Sequence, residues 1–454
     1  MLQERTKMRQ SGLAQSPSRS GAYYVLFLLS LTGALAFLDR AVIGLVIEPI
    51  KATFSIDDAG AGLLTGLAFV LVYGLCGLPF AHLTDRFQRK PILAGSLGVW
   101  TLGTMVGGLA QTIPQLFASR MLVGIGEAGG TPPAVSMIAD IFNEQDRPQA
   151  LSVYRAAGQL GLILGLPAAG LVSDLFGWRM ALMGVGAVGI PVVALLLVTM
   201  REPRRGAMDL HVPAAAMPLG AALKQMLSNG VFVALLIACT MFGIFGAISG
   251  SWGPAFFMRV HGLSAAATGA SFGVALGLPA ALGTLVGGVL ATLLMRRYDS
   301  HRIVLVGLAA AALLSAVPQF MFTFHPDIGV VLVAGGLAAF VGCFWSGPLL
   351  AILMALVPPA SRGLAAGLSV IAFSLLPGVI APVTVGLVSD MLAPTLGVDS
   401  LRYALIIQPV SLLLAGAVLL VAARFMPAGE RQAEAGASDL PIETSLSVGR
   451  PVLD

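Results

Sequence analysis

The sequence predicts an all-α membrane protein, twelve transmembrane helices in two six-helix halves. Three observations carry this. Of 454 residues, 57% are hydrophobic and 11% charged, with a mean hydropathy of +0.90, whereas a soluble domain carries about 25% charged residues. Apolar stretches long enough to cross a hydrocarbon layer of ~30 Å recur along the chain. The pentapeptide GLVSD occurs at 170–174 and again at 386–390, each time followed by a loop and then RMAL or RYAL.

Residues 1–21 read as a polar, basic cytoplasmic tail. The apolar run that follows is too long for a secretory signal core and lacks a small-residue cleavage site, so it reads as an uncleaved first span at 22–47. Spans at 59–82, 89–110, 114–139, 148–172 and 179–200 complete an N-terminal half over 22–200. The longest internal connection, 201–229, reads as a central cytoplasmic loop. Spans at 230–257, 265–294, 303–323, 328–356, 363–389 and 402–425 make a C-terminal half over 230–425. Residues 426–454 are polar and aperiodic, the composition of a disordered cytoplasmic tail. ALSV (150–153) and GLSV (367–370) take the same place upstream of the two GLVSD copies, so span five corresponds to span eleven. A parallel repeat of two six-helix halves is a transporter architecture, with its site near the midplane between them.

Basic residues orient the chain. Of 26 Lys and Arg, only Lys51, Arg179, Arg259 and Arg402 fall in the second set of turns, while Arg40, Arg120 and Arg155 fall inside spans. Both termini are therefore expected in the cytoplasm, in the plasma (inner) membrane if the source is bacterial. The net charge of +4 implies no nucleic-acid partner, because the basic residues lie between apolar segments. Cys76, Cys239 and Cys343 lie singly in apolar runs and read as small hydrophobes. The five histidines lie in loops or at span ends, which argues against a metal site or a membrane-embedded metallohydrolase, and no Walker-type phosphate loop is present. No cofactor and no enzymatic activity are expected. A monomer in the lipid bilayer is.

Asp39, Arg40, Arg120, Glu127 and Arg155 are charges inside spans. Exposed to lipid at about 3 kcal/mol each, they would cost on the order of 15 kcal/mol, so they are expected to face one another or a watery cavity. Adjacent Asp39 and Arg40 point about 100° apart and cannot serve one partner. Arg120 and Glu127 are two turns apart on one face. A carboxylate alternating between a half-dry cavity and an approaching arginine takes up a proton on one side and releases it on the other. Asp39 and Glu127 are thus the candidates for proton coupling. Arg40, Arg120 and Arg155, permanently charged, are the candidates for an anionic head group or a charge network. A static network holding the N-terminal half together is the competing reading. The C-terminal spans have no ionisable residue well inside them, so their wall is expected to make apolar contacts. Pro132-Pro133 should break span four just inward of Glu127. Gly161-xxx-Gly165 and the glycines of span eight, from Gly269 to Gly287, suit close helices that slide on one another, with ordinary tight packing as the equal alternative.

The turn between spans two and three reads AHLTDRFQRKPIL (81–93). Its Asp85-Arg86-x-x-Arg89-Lys90 resembles the signature loop of the major facilitator superfamily, with Ala81 and Gln88 in place of two glycines. The resemblance implies that Asp85, Arg86, Arg89 and Lys90 form a gating loop that shuts the cytoplasmic face against the other half, Asp85 at a helix N-terminus. The matching loop ATLLMRRYDSHR (291–302) lacks the equivalent acid. FLDR (37–40) with EPIK (48–51), RMLVGIGEAGG (120–130) and DLFGWRMAL (174–182) resembles the Spinster-like branch, whose members transport lysolipids or sphingoid phosphates, some driven by protons. The branch's span-one acid and span-four glutamate correspond to Asp39 and Glu127, its arginines to Arg40 and Arg120. The resemblance implies a secondary active transporter of the major facilitator fold. It would move an amphipathic or organic anion, a small molecule or a lipid-like substrate such as a lysolipid, by alternating access with the proton as coupling ion. A multidrug or soluble carboxylate cargo is the alternative within the fold. A membrane sensor that binds without transport is the alternative of another class.

Overall fold

A backbone surrounded by lipid must satisfy its own hydrogen bonds, so each apolar run is driven to coil. The computed structural model describes residues 19–143, 146–205, 219–358 and 361–426. The N-terminal half is α1 (Arg19–Leu45), α2 (Asp58–Arg86), α3 (Arg89–Gly108), α4 (Ile113–Ala128, resumed at Thr131–Ile141), α5 (Gln149–Phe176) and α6 (Trp178–Thr199). The C-terminal half is α7 (Gly230–His261), α8 (Ala265–Tyr298), α9 (His301–Phe324), α10 (Ile328–Ala355), α11 (362–396) and α12 (Ile407–Phe425). Nine stretches among the described residues are long and apolar enough to span a membrane. One of them, Arg362–Phe425, folds back at 397–399 into α11 and α12, and α3 and α4 bring the spans to twelve. The expected tails before Arg19 and after Met426, and 206–218 of the central loop, lie outside the described residues.

Local chemistry sets the ends. Thr112 and Gln115 form a reciprocal capping box at the start of α4. Asn229 accepts from the amides of Val231 (3.0 Å) and Phe232 (3.2 Å) to start α7. Gly129 and Gly130 interrupt α4, and Thr131-Pro132-Pro133 restarts it, because proline is tolerated in a first helical turn. The break expected beside Glu127 is there.

A feature with no sequence signature recurs on four helices. Each of α2, α5, α8 and α11 carries a wide π-type stretch, at Leu63–Leu67, Gly161–Gly165, Ser271–Leu276 and Ile371–Leu375. These are the second and fifth helices of each half. They meet across the seam, α2 against α11 and α5 against α8.

The start of α1, the α2–α3 turn and the end of α12 mark what we call the terminal face; the α1–α2, α5–α6, α7–α8 and α11–α12 turns mark the far face. Near the far face one hydrophobic core joins both halves, with Val42, Leu166 and Trp178 packed among Trp252, Phe256 and Val385. The other two cores each belong to one half: Leu29, Leu97 and Met137 in the first, Phe232, Leu308 and Leu412 in the second. The halves are fused at the far face and part toward the terminal face. Backbone contact at the fusion is close: a Cβ on Gly44 would sit 2.5 Å from the Gly250 carbonyl oxygen, and one on Gly170 2.3 Å from that of Ala265. Gly269 lies against Leu166 on α5, as the glycine spacing suggested. Gly161 and Gly165 do not face α8; their stripe turns toward Ala34 and Leu38 of α1.

Candidate functional site

The parting halves enclose a cavity of about 450 Å³. Its walls are mostly apolar and aromatic, with Phe37 and Phe69 from the N-terminal half and Phe245, Phe272, Phe322 and Phe373 from the other. Among the described residues two cations reach it, Arg40 and Arg120.

The arginines stand in front and the acids behind. Arg40 Nε donates to Glu127 Oε2 at 2.5 Å; the Glu127 side chain is 0% exposed and that of Arg40 34%. Arg120 Nη1 donates to Asp39 Oδ2 at 3.3 Å, and Thr104 donates its hydroxyl to the same carboxylate. Adjacent Asp39 and Arg40 thus serve different partners, as their 100° separation requires. The Arg40 guanidinium also lies 4.8 Å from the Tyr73 ring centre and 5.3 Å from that of Phe69, while Arg120 lies 5.7 Å from Phe69. Glu127 Oε1 and Arg120 Nε are buried without a hydrogen-bond partner among the described residues. Such orphaned atoms are uncommon and costly, and each calls for an explanation. Behind Asp39, between Trp100, Thr101 and Val185, lies a small space of about 10 Å³, roughly one water.

Arg155 departs from the expectation. It is exposed on α5 and makes no ion pair among the described residues, so four charges meet rather than five. Arg155 stands one turn before Gln159, which lines the cavity, and a carboxylate within reach, not membrane depth, decides who joins the network. The expected apolar wall of the C-terminal half also needs correction: Ser249, Gln319 and Gln408 line it. These side chains do not ionise, so a search for charges passes over them.

At the α2–α3 turn, Asp85 and Arg86 are exposed and neither makes an ion pair among the described residues. Arg89 turns inward and is bound to Asp140 and Ser136 Oγ (3.0 Å) of its own half and to the Pro203 carbonyl (2.6 Å) of the segment that follows it. Glu202 accepts from the backbone amides of Arg89 (2.7 Å) and Lys90 (3.3 Å) at the start of α3. Arg205 donates to the carbonyls of Thr84, Asp85 and Phe87 at the end of α2. The segment after α6 therefore clamps the turn at both helix ends.

Sequence reasoning missed the far-face closure. Arg259 of α7 reaches across to Glu48 (2.5 Å) and Asp58 (2.7 Å), and Lys51 joins Asp58. The last residue of each GLVSD copy crosses the seam too. Asp174 accepts from the amides of Ala265 (2.9 Å) and Ala266 (2.8 Å) at the start of α8. Asp390 accepts from those of Asp58 (2.9 Å) and Ala59 (2.7 Å) at the start of α2. The repeat itself was the available signal.

A family model described as Major Facilitator Superfamily matches residues 29–317. An MFS-type efflux pump of Mycolicibacterium smegmatis is 30% identical over 87% of this chain and 91% of its own length. Protein spinster homolog 1 of Rattus norvegicus is 29% identical over 95% of this chain and 86% of that protein. The crystal structure of a bacterial homolog of the human lysosomal transporter Spinster, inward-facing and unoccupied, aligns with a TM-score of 0.77 and 27% identity, over 90% of this chain and 98% of that one. A D-xylose-proton symporter, 18% identical with a TM-score of 0.67, shares the fold.

Proposed function

The chain belongs to the major facilitator superfamily, and from that premise we propose that it carries an amphipathic organic anion of the lysolipid class, coupled to protons, by alternating access. The observation that carries this reading is the order of charges at the cavity, with arginines facing the space and their carboxylates hidden behind them. An anion entering the cavity competes with Glu127 for Arg40. When Arg40 turns to the anion, Glu127 is left buried without a counter-ion, and a bound proton removes that cost. Anion and proton are loaded together. The aromatic walls receive an apolar tail, which a small soluble carboxylate does not have. Similarity to Spinster homologues supports the same cargo class.

The terminal face is the cytoplasmic one in this reading, because Arg86, Lys90, Arg204, Arg205, Arg296, Arg297 and Arg362 gather there. The described shape, fused at the far face, is then inward-open, and the gating loop of Asp85, Arg86, Arg89 and Lys90 closes only in the opposite state. A second reading, export of apolar drugs, draws on the similarity to the mycobacterial efflux pump and on the aromatic walls.

Uptake into proteoliposomes separates the two. With a proton gradient, the wild type should accumulate a lysophospholipid over a soluble carboxylate, and Glu127→Gln should lose the accumulation while keeping downhill exchange. Gradient-driven flux of uncharged amphiphiles alone would favour the drug-export reading. Accumulation undiminished in Glu127→Gln would remove Glu127 from the coupling.

A further inference from the structure

Among the described residues the C-terminal half offers the cavity no cation, but it does offer two amides. Gln319 of α9 and Gln408 of α12 both line the space, although only 3% and 2% of their surfaces are exposed. They form a directed chain. Gln319 Nε2 donates to Gln408 Oε1 at 3.0 Å, and Gln408 Nε2 donates to Ser249 Oγ at 2.8 Å and to the Phe245 carbonyl at 3.4 Å. A glutamine has two N–H donors and a carbonyl with two lone pairs. Gln408 uses both donors and its oxygen. Gln319 uses one donor, and its Oε1 makes no hydrogen bond among the described residues. Spare capacity is therefore concentrated at the Gln319 end.

Depth is close as well. Gly44 of α1 packs against Gly250 of α7, and the neighbouring Ser249 holds Gln408, which holds Gln319. Arg40, one helical turn from Gly44, therefore stands about 6 Å along the axis from the level of the amide chain at ~1.5 Å per residue, on the opposing wall of one cavity. We propose that Gln319, held by Gln408 and Ser249, is a second polar subsite that takes an uncharged hydroxyl or amide on the same cargo head group whose anion Arg40 and Arg120 receive. The subsite rests on the anionic-cargo reading above. A charged group is the wrong occupant, since no counter-ion faces it and an unpaired charge in an apolar wall is costly. The cargo polar head then spans the closed end of the cavity between the two walls, and its tail runs along the phenylalanines toward the open face.

The test is competition against uptake of a labelled lysophospholipid by two competitors, lysophosphatidylglycerol and an analogue with propyl in place of the glycerol head. The wild type should prefer the hydroxylated head about five- to tenfold, the range of one neutral hydrogen bond. Gln319→Leu should bring the two within about twofold without weakening the propyl analogue, whereas Arg40→Gln should weaken both by the same factor. Equal competition in the wild type overturns the subsite and leaves the anionic reading standing. A Gln319→Leu effect that falls equally on both competitors also overturns it, because the amide then only supports packing. Failure of both to compete in the wild type overturns the cargo reading and the subsite with it.

Discussion

Arg40 and Arg120 each answer one buried acid, yet they are held differently. Arg120 and Asp39 are both about 3% exposed, and Thr104 completes the carboxylate's shell. Arg40 has a third of its side chain open and lies against Tyr73 and Phe69. Removing one partner of a buried pair leaves the other uncompensated, at about 3–5 kcal/mol. Arg120→Leu should therefore lower the thermal midpoint in detergent sharply, and adding Asp39→Asn should recover most of the loss. Arg40→Lys keeps the charge but not the planar group that lies against two rings. Its expected result is uptake reduced at least tenfold with a thermal midpoint near wild type, measured on the same preparation. The four paired charges were legible in the sequence because a charge in an apolar run is conspicuous. Gln319 and Gln408 were not, since an uncharged amide in such a run reads as filler. Arg155 looked like a member because depth along a helix is readable and the partner a side chain meets is not.

Two carboxylates close the far face by one geometry used twice. Asp174 sits at the start of α8 and Asp390 at the start of α2, each on backbone amides of the other half. A negative charge at a helix N-terminus contributes about 0.3–1 kcal/mol, up to about 2 when partly buried. Asp174→Asn with Asp390→Asn removes the charge and puts an NH2 donor in place of one of the two accepting oxygens. The pair should shift the balance toward an open far face by about 1–3 kcal/mol, seen as a longer spin-label distance between Ser55→Cys and Thr395→Cys in a background without Cys76, Cys239 and Cys343. An unchanged distance distribution would show that Arg259 and its acids hold the face by themselves. The pentapeptide was visible as a repeat, but its purpose was not. The amides that Asp174 and Asp390 meet lie 91 and 332 residues away in sequence, beyond any local pattern. The π-type stretches are similarly silent, because a slip in hydrogen-bond register is not written in residue types. The break in α4 was readable, since glycine pairs and prolines act locally.

At the scale of the molecule, the twelve spans followed from hydropathy, and their ends shifted by a few residues where caps and turns decided. Which face is open did not follow, because one sequence must support both states with a small difference between them. The reading of the open face as cytoplasmic makes a plain prediction. Gln159→Cys, on the cavity wall in the same cysteine-free background, should react with a membrane-impermeant maleimide from the cytoplasmic side of oriented vesicles and be protected by cargo. Labelling from the opposite side alone would invert the topology.

The single core shared near the far face, with separate cores beyond it, has a mechanical corollary. A body hinged at one end is a wedge: parting the halves claims membrane area in one leaflet and almost none in the other. Lateral pressure in that leaflet does work against the opening, so lipids that crowd the acyl region there should disfavour the described shape. Phosphatidylethanolamine added at constant surface charge should then change the transport rate with no change in any residue. Bilayer composition becomes a control on the cycle as direct as a substitution at the seam.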